Sequence, residues 1–521
     1  MVNGLGNLPD DVVELKKIIA EQAHIIKEFQ VKLTAEQEKY AALQRLVFGS
    51  KSEKKQKENP KQDLLFNEAE TYAAPERKPA TITVGQYERK KPGRKPFPAN
   101  LERNEIVHAL SDEERACPCC GALRPEIGEE RTEELRLIPA KAVVDVHVMK
   151  KYGPCPCKDC AGTEEKPMIQ ASGPAKIIPG SRFSNGTIAF FLTSKFVDHQ
   201  PFYRMEGILS RWGVDTGRST LCTLAIGAGR AIGDLVQAIR DDIKKSPVIG
   251  MDETTLQVLH ETNRSAQTKS YMWVARGFRD NKPLLFFQYH PTRAKDVPTS
   301  FLSEYSGYLQ TDGYAAYNES AESPGMVHIG CLAHVRRKFY DAWKSAKADG
   351  LANNFLGMIT EFYHAETLLR ERYEKKQRDD LSFLAERRKE QEPRLAAMKE
   401  WLLANAGTVP PSLALGKAIS YALGQWDRVV HYLDHELLTP DNNGVENAIR
   451  PFVIGRKNWL FSNTPLGAHA SAGLYSLLET AKANGHEPYK YLCFLFDMLP
   501  KAMTLEDKLT LLPYRLDPAS Y

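Results

Sequence analysis

The run from residue 246 to residue 331 constrains the fold more than any other part of the chain. VIGMDETTLQVL, YMWVARG and KPLLFFQYH read as three strands, RAKDVPTSFLSEY as a helix, GYLQTDGY as a fourth strand and MVHIGC, after a short crossover, as a fifth. A mixed sheet whose first and fourth strands lie side by side accommodates that order. It sets Asp252, at the end of the first run, next to Asp312, at the end of the fourth. Either aspartate alone is read as ending a strand or capping a turn. Two carboxylates meeting at adjacent strand ends make a magnesium site, because magnesium takes hard oxygen ligands and keeps positions free for water and phosphate.

The same order resembles a ribonuclease H-like core, which still needs its last helix. Residues 336–435 are charged and helical, with LSFLAERRKEQEPRLAAMKEWLL in the middle, and read as a helical insertion. Then comes LTPDNNGVENAIRPFVIGRKNWLF, where Asn442 or Asn443 caps a short helix carrying Glu446 and Pro451 limits its length. Glu446 is the third acid, and Glu253 is expected on the opposite face of its strand. Arg450, Arg456 and Lys457 are placed to bind phosphates. Trp459 either stacks on an unpaired base or lies in the core, since Leu460 and Phe461 prolong the apolar run. GCLAHVRRKF holds Cys331 and His334 in a C-x-x-H pattern, followed by Arg336 and Arg337, which join the DNA-binding set. His334 is either a DNA contact or a buried structural histidine, and a second zinc there is not expected.

The balance of 70 Lys and Arg against 66 Asp and Glu, a net +4, implies no polyanion partner by itself, so that argument rests on local clusters. No run of 18 apolar residues and no signal peptide is visible, giving the expectation of a soluble, cytoplasmic protein without membrane contact. Leu15, Ile19, Gln22, Ile26, Phe29, Leu33, Glu36, Tyr40, Leu43 and Val47 keep heptad spacing, either as a self-associating coiled coil or as a helix packed on its own domain. Residues 49–100 have a linker composition. Within them KKPGRKP either sets Arg94 in a DNA groove, as an AT-hook does, or is a solvated basic tether. CPCCG and CPCKDC form two knuckles in which Cys117, Cys120, Cys157 and Cys160 suit one structural zinc, with Cys119 and Cys155 as alternative ligands. PFYRMEGILSRWGVDTGRSTLCTLAI reads as helix, turn at Gly213 and second helix from near Ser219. This is a helix-turn-helix candidate with Arg218 at its DNA-facing end, although ordinary bundles share the pattern.

MDETTLQVL, GYLQTDGYAAY, GCLAHVRRKF, GKAISYALGQW, DNNGVENAIRP and GRKNWLFSNTPLGAHASAGLYSLLETAKANG resemble the insertion sequence 66 family of transposases. The likeness runs from FGSKSEK to LLPYRLDP, nearly end to end. It implies a multidomain α+β DDE-type transposase with Asp252, Asp312 and Glu446 as catalytic, magnesium-binding acids, for which manganese can substitute. In such a two-metal site the ions lie roughly 4 Å apart. Asp252 is expected to bridge them, with Asp312 on one and Glu446 on the other. The expected partners are DNA, as element ends and as target, further copies of the chain, and accessory proteins encoded beside it. The expected division is a coiled-coil helix at 1–48, a basic linker at 49–100, a zinc domain at 101–175 and a helix-turn-helix-like region at 176–245. A ribonuclease H-like core at 246–335 and 436–500 flanks the insertion at 336–435, and a tail closes the chain at 501–521. A nuclease on the same core and a non-catalytic DNA-binding regulator are the rival readings.

Overall fold

The computed structural model describes residues 141–152, 169–346, 350–374 and 380–521, together with Lys16, Glu21, Gln22, Ile25 and Phe29, which are helical and exposed. The chain divides into two compact units, residues 1–49 with 142–521, and residues 50–141. Of the second unit only Lys141 is described, and it is exposed. Arg94, Cys117, Cys119, Cys120, Cys155, Cys157 and Cys160, and all heptad positions except Gln22 and Phe29, lie outside the described residues.

The centre of the first unit is a five-stranded sheet. Its strands are β1 (Val248–Gln257), β2 (Lys269–Arg279), β3 (Lys282–His290), β4 (Gly307–Gln310) and β5 (Met326–Ile329), in the spatial order β3-β2-β1-β4-β5. β1, β2 and β3 are antiparallel, while β4 joins β1 and β5 joins β4 in parallel. Asp280 and Asn281, both at positive φ, make the two-residue turn between Arg279 and its partner Lys282. Most of the ten residues of β1 are buried, the polar Glu253 and Thr254 as well as the apolar Val248, Ile249, Met251 and Leu256. Asp252 is therefore the fifth residue of a longer strand and not its end.

Between Gln170 and the sheet stand four helices: α1 (Asn185–Phe196), α2 (Phe202–Arg211), α3 (Arg218–Ala231) and α4 (Gly233–Ile243). α2, a turn with Gly213 at φ +79° and α3 form the expected helix, turn and helix. α5 (Asp296–Phe301) and α6 (Asn318–Ala321) flank β4. Between β5 and the segment carrying Glu446 stand α7 (Leu332–Ala346), α8 (Leu351–Glu374), α9 (Asp380–Ala406) and α10 (Ala414–Val430). They share one apolar core in which Phe339, Phe355, Leu402 and Trp426 are buried.

α11 (Asn443–Trp459) packs on β1 and β2, and α12 (Pro465–Ala483) on the edge strand β3. An exposed strand edge invites pairing with other chains. α12 covers this one chemically as well as sterically, since Ser476 Oγ accepts the N–H of Phe287 at 2.8 Å and Thr480 Oγ1 that of Leu285 at 3.0 Å. α13 (Pro488–Met498) and α14 (Leu505–Thr510) complete the unit. Among the described residues no single helix is long and apolar enough to cross a membrane.

α11 departs from the sequence expectation. It is a helix of 17 residues with Pro451 inside it, so the proline does not end it. Pro451 removes only the hydrogen bond to the carbonyl of Asn447, which is exposed and can take water instead. Asn442 sits at the N-cap position without a side-chain cap bond. Its amide donates to Met251 O at 3.1 Å, so the side chain that sequence reading spends on capping ties α11 to β1.

Candidate functional site

The register of the sheet brings the two aspartates together. β1 and β4 pair through Val248 with Tyr308, Ile249 with Leu309 and Gly250 with Gln310. Two residues beyond the last pair stand Asp252 on one strand and Asp312 on the other. Asp312 lies just past the end of β4, where its Oδ1 accepts the N–H of Tyr314 at 2.9 Å. Glu446 arrives from α11, whose first turn presses on β1 so closely that a Cβ at Gly250 would collide with Val445 Cγ2. At Gly444 a Cβ would meet the guanidinium of Arg276. A side chain at Gly250 would push α11, and Glu446 with it, away from the sheet, whereas at Gly444 the flexible Arg276 can swing aside.

Burial holds the Asp252 carboxyl well above the usual range, and the charges of Glu253, Asp312 and Glu446 push it the same way. Glu446 is raised by burial first, with Asp441 and Asp312 adding, while His334 and Arg337 oppose the rise. The three acids are thus near enough to repel one another. Glu446 Oε1 is buried and accepts no hydrogen bond. Clustered carboxylates with an unused oxygen are the donor set that a hard divalent cation requires, so the residues fit magnesium or manganese.

His334, on the first turn of α7, faces this cluster with Nδ1 3.9 Å from Glu446 Oε1. Burial opposes a charge on the ring, yet Cys331, Glu446 and Asp312 outweigh it and push the pKa up to about 10. Arg337 lies half-buried one turn on, lowered by burial with Asp341 and Glu446 opposing. Arg336 and Arg450 are half-buried, the latter one helical turn after Glu446. Lys457 is exposed at the far end of α11, roughly 16 Å of helix from Glu446. Arg218 is exposed at the first position of α3.

One expected DNA contact, Arg456, needs correction, and the open choice at Trp459 narrows. Arg456 is only 7% exposed. Its Nη1 donates to Thr254 Oγ1 and Thr255 Oγ1, each at 3.0 Å, and to Thr255 O. Burial lowers its pKa to about 10. Its guanidinium clamps α11 to β1 instead of facing phosphate. Trp459 is half-buried, with its ring 5.5 Å from Phe452 and Lys195 Nζ 5.4 Å above it, so packing holds it. Leu460 and Phe461 are the exposed apolar residues there, 63% and 42% accessible, and Leu460 stands at φ +69°. That backbone is held on both sides, by Leu460 N–H on Arg456 O and by Ser462 N–H on Gln257 O.

We expect Lys457→Ala to lower the slope of log affinity against log salt by about 0.9 on DNA, the release of one counterion. Arg456→Ala should leave the slope unchanged and cost about 2 kcal/mol of stability, since its strand partners lose a charged donor. Salt titrations and denaturant melts of both variants check this; a lowered slope for Arg456→Ala would return that residue to the DNA surface.

β1 runs on through Glu253, so alternation sets it on the face opposite Asp252 as expected. It is buried, bonded to Arg293 Nε at 2.6 Å and accepting the Tyr317 hydroxyl at 2.6 Å. Sequence reading missed both partners, because nothing local marks residues 40 and 64 positions away.

The description "Transposase IS66 family" matches residues 180–470, more than half of the chain and a span that holds all three acids. The chain belongs to the IS66 transposase family. Further IS66 matches cover residues 37–106 (Transposase C of IS166 homeodomain), 114–161 (zinc-finger binding domain of transposase IS66) and 476–514 (IS66 C-terminal element). Two similar proteins come from Sinorhizobium fredii (strain NBRC 101917 / NGR234). "Uncharacterized protein y4qI" is 29% identical with 99% of each chain covered, and "Uncharacterized protein y4jD" is 27% identical with 97% of this chain and 96% of the relative covered. Membership implies transposase activity, and the zinc-finger match agrees with the clustering of cysteines between Cys117 and Cys160.

The raised carboxyls make a further result predictable for this IS66 chain. A carboxyl whose folded pKa lies above its unfolded value binds more protons in the folded state, so stability falls as pH rises from about 4 towards the raised value. In a chelator, the melting temperature should decline across that window and Asp252→Asn should melt higher than the parent at neutral pH. Magnesium should raise the melting point of the parent but not of the variant. Thermal melts across pH with and without magnesium decide it; equal melting points in the chelator would show that the acids are not in conflict.

Proposed function

We propose that this chain is a DDE-type transposase that binds the ends of its insertion element, cleaves them and joins them to target DNA at Asp252, Asp312 and Glu446. The observation that carries the reading is the register itself, which sets the two aspartates on adjacent strands with Glu446 delivered beside them from α11. The strand order β3-β2-β1-β4-β5 and the mixed pairing support a ribonuclease H-like core. The helices α7–α10 then form an insertion that separates Glu446 from the rest of the core in sequence.

Among the described residues the three acids do not close to within 4.8 Å of one another as a single-ion site would. Two ions would need no such closure, because the three acids would not all bind the same one. When bound, magnesium supplies Lewis-acid activation of the attacking oxygen and charge stabilisation at the leaving oxygen. The residues of the chain hold and orient. Asp252, Asp312 and Glu446 would hold the ions, Asp252 serving both and Asp312 and Glu446 one each. His334 and Arg337 offset the negative charge of Glu446, and together with Arg336, Arg450 and Lys457 they offer positive charge to the phosphates of the substrate. Leu460 and Phe461, in place of Trp459, are what the end of α11 presents to bases. With water as nucleophile a phosphodiester is hydrolysed and a 3′-hydroxyl is left; with that hydroxyl as nucleophile a target phosphodiester is exchanged and the strands are joined.

The domain division, the zinc ligands Cys117, Cys120, Cys157 and Cys160, Arg94 in its basic stretch, the helix-turn-helix role of α2 and α3, a cytoplasmic and nucleoid-bound location and the need for accessory proteins belong to the same proposal. So does pairing of subunits through the heptads, because transposition holds two element ends together. Deleting residues 12–47 should lower the mass in solution by light scattering and abolish end pairing; an unchanged mass would return the segment to packing on its own domain. The deciding test of the function is a joining assay on duplexes bearing an element end with magnesium present. Joined product supports the transposase, cleavage without joining the nuclease, and neither the regulator.

A further inference from the structure

Among the described residues, the group of three metal-ligating side chains whose donor atoms lie within 4.8 Å of one another is Cys331, His334 and Glu446. We propose that these three form a binding site for one transition-metal ion of the zinc class, distinct in ligand chemistry from the carboxylate site but sharing Glu446 with it.

The geometry is set by two tied helix ends. Cys331 directly precedes α7 and His334 is its third residue, so the C-x-x-H spacing places sulfur and imidazole on one turn. Glu446 comes from the first turn of α11. Leu332 N–H donates to Pro440 O at 2.9 Å and Asn442 N–H to Cys331 Sγ at 3.3 Å, so the third ligand is held next to the other two by the backbone, without help from an ion. The second, independent observation is the buried Glu446 Oε1, which accepts no hydrogen bond and lies 3.9 Å from His334 Nδ1. Around a tetrahedral ion with bonds of about 2.0–2.3 Å the ligand atoms stand roughly 3.3–3.7 Å apart. The cluster reaches that by closing on the order of 1 Å, which side-chain rotation supplies.

Thiolate and imidazole select against magnesium and for zinc, cobalt or copper. Three protein ligands leave a fourth position for water, unlike the closed four-sulfur site read from the cysteine knuckles. An ion here takes up the carboxylate of Glu446. If the proposed function is right, zinc therefore inhibits the magnesium-supported reaction by withdrawing one of its three acids; this consequence rests on that reading, whereas binding does not.

Equilibrium dialysis of the full-length chain against zinc, followed by metal analysis, tests the site. Parent protein should hold one zinc more than Cys331→Ala and one more than His334→Phe, with both variants melting cooperatively. Cobalt in place of zinc should give a thiolate charge-transfer absorption that weakens in Cys331→Ala. Should Cys331→Ala fail to fold, His334→Phe and Glu446→Gln carry the comparison. Equal metal content in the parent and every folded variant overturns the site. In a nicking assay, each protein being compared with its own zinc-free rate, the parent should need at least tenfold less zinc for half-inhibition than Cys331→Ala. Loss of one zinc in the variants without that difference would leave the metal site standing and remove Glu446 from the magnesium-binding set.

Discussion

Asp252→Asn, Asp312→Asn and Glu446→Gln should each reduce strand cleavage and joining by about three orders of magnitude, roughly 4 kcal/mol of transition-state stabilisation. Each change keeps the shape of the side chain and removes one negative charge from a site whose acids already raise one another. The cation then loses a hard ligand where charge develops on the transferring phosphate. Affinity for element ends should stay level or rise, because a carboxylate near phosphates repels them. Removing magnesium should reproduce the defect in the parent and manganese should restore activity. Glu253→Gln is not a neutral control. It strips the charge from a buried carboxylate that Arg293 and Tyr317 need, so it should destabilise the chain. Asn447→Ala is the better one, exposed and one residue from Glu446 on the same helix. Nicking and joining on an end-bearing duplex, measured beside a binding assay, check the set. Near-normal cleavage by any one of the three would remove that residue from the site.

The legible parts of this fold are those written in local patterns. Apolar runs of strand length and their order, three strands, helix, strand, crossover and strand, lead to the right neighbours, with the first and fourth strands side by side. The helix, turn and helix around Gly213 are legible for the same reason. What escapes is whatever a distant partner decides. Asn442 has the residue type of a cap, yet its amide is drawn to Met251 on β1. Pro451 has the residue type of a helix stop, yet packing of Phe452 and Val453 in the core carries the helix through it. Arg456 reads as a phosphate ligand until Thr254 and Thr255 are found to lie against it. In each case the tertiary contact overrides a local preference worth about 1–3 kcal/mol.

Arg387 is the extreme case and carries the largest expected loss of stability. It stands in the charged stretch AERRKEQEP, where sequence alone gives it no distinction from Arg388, yet it is fully buried while Arg388 is exposed. Its Nη1 donates to Tyr432 O at 3.1 Å and His435 O at 3.0 Å, and its Nη2 to Leu438 O at 2.8 Å and Glu366 Oε1 at 2.9 Å. Arg370 completes the network, bonding to Glu366 and to Leu438 O. The three carbonyls lie in the segment that leads from α10 to α11, so the guanidinium fastens the chain immediately upstream of Glu446. Arg387→Met keeps the length and apolar stem but leaves Glu366 buried with one partner fewer and the carbonyls with fewer donors, at a cost of about 3–5 kcal/mol. Adding Glu366→Gln should recover part of that loss, because the remaining carboxylate is then no longer charged. Arg388→Met should cost nothing measurable, its partner Asp434 being a surface pair. Denaturant melts of the single and double variants give these energies. At temperatures where Arg387→Met stays folded, magnesium-supported cleavage should fall while affinity for element ends holds, since loosening residues 431–438 frees Glu446 and leaves Asp252 and Asp312 on the sheet. A variant that is destabilised but cleaves at the parental rate would show that α11 is positioned by its contacts with β1 alone.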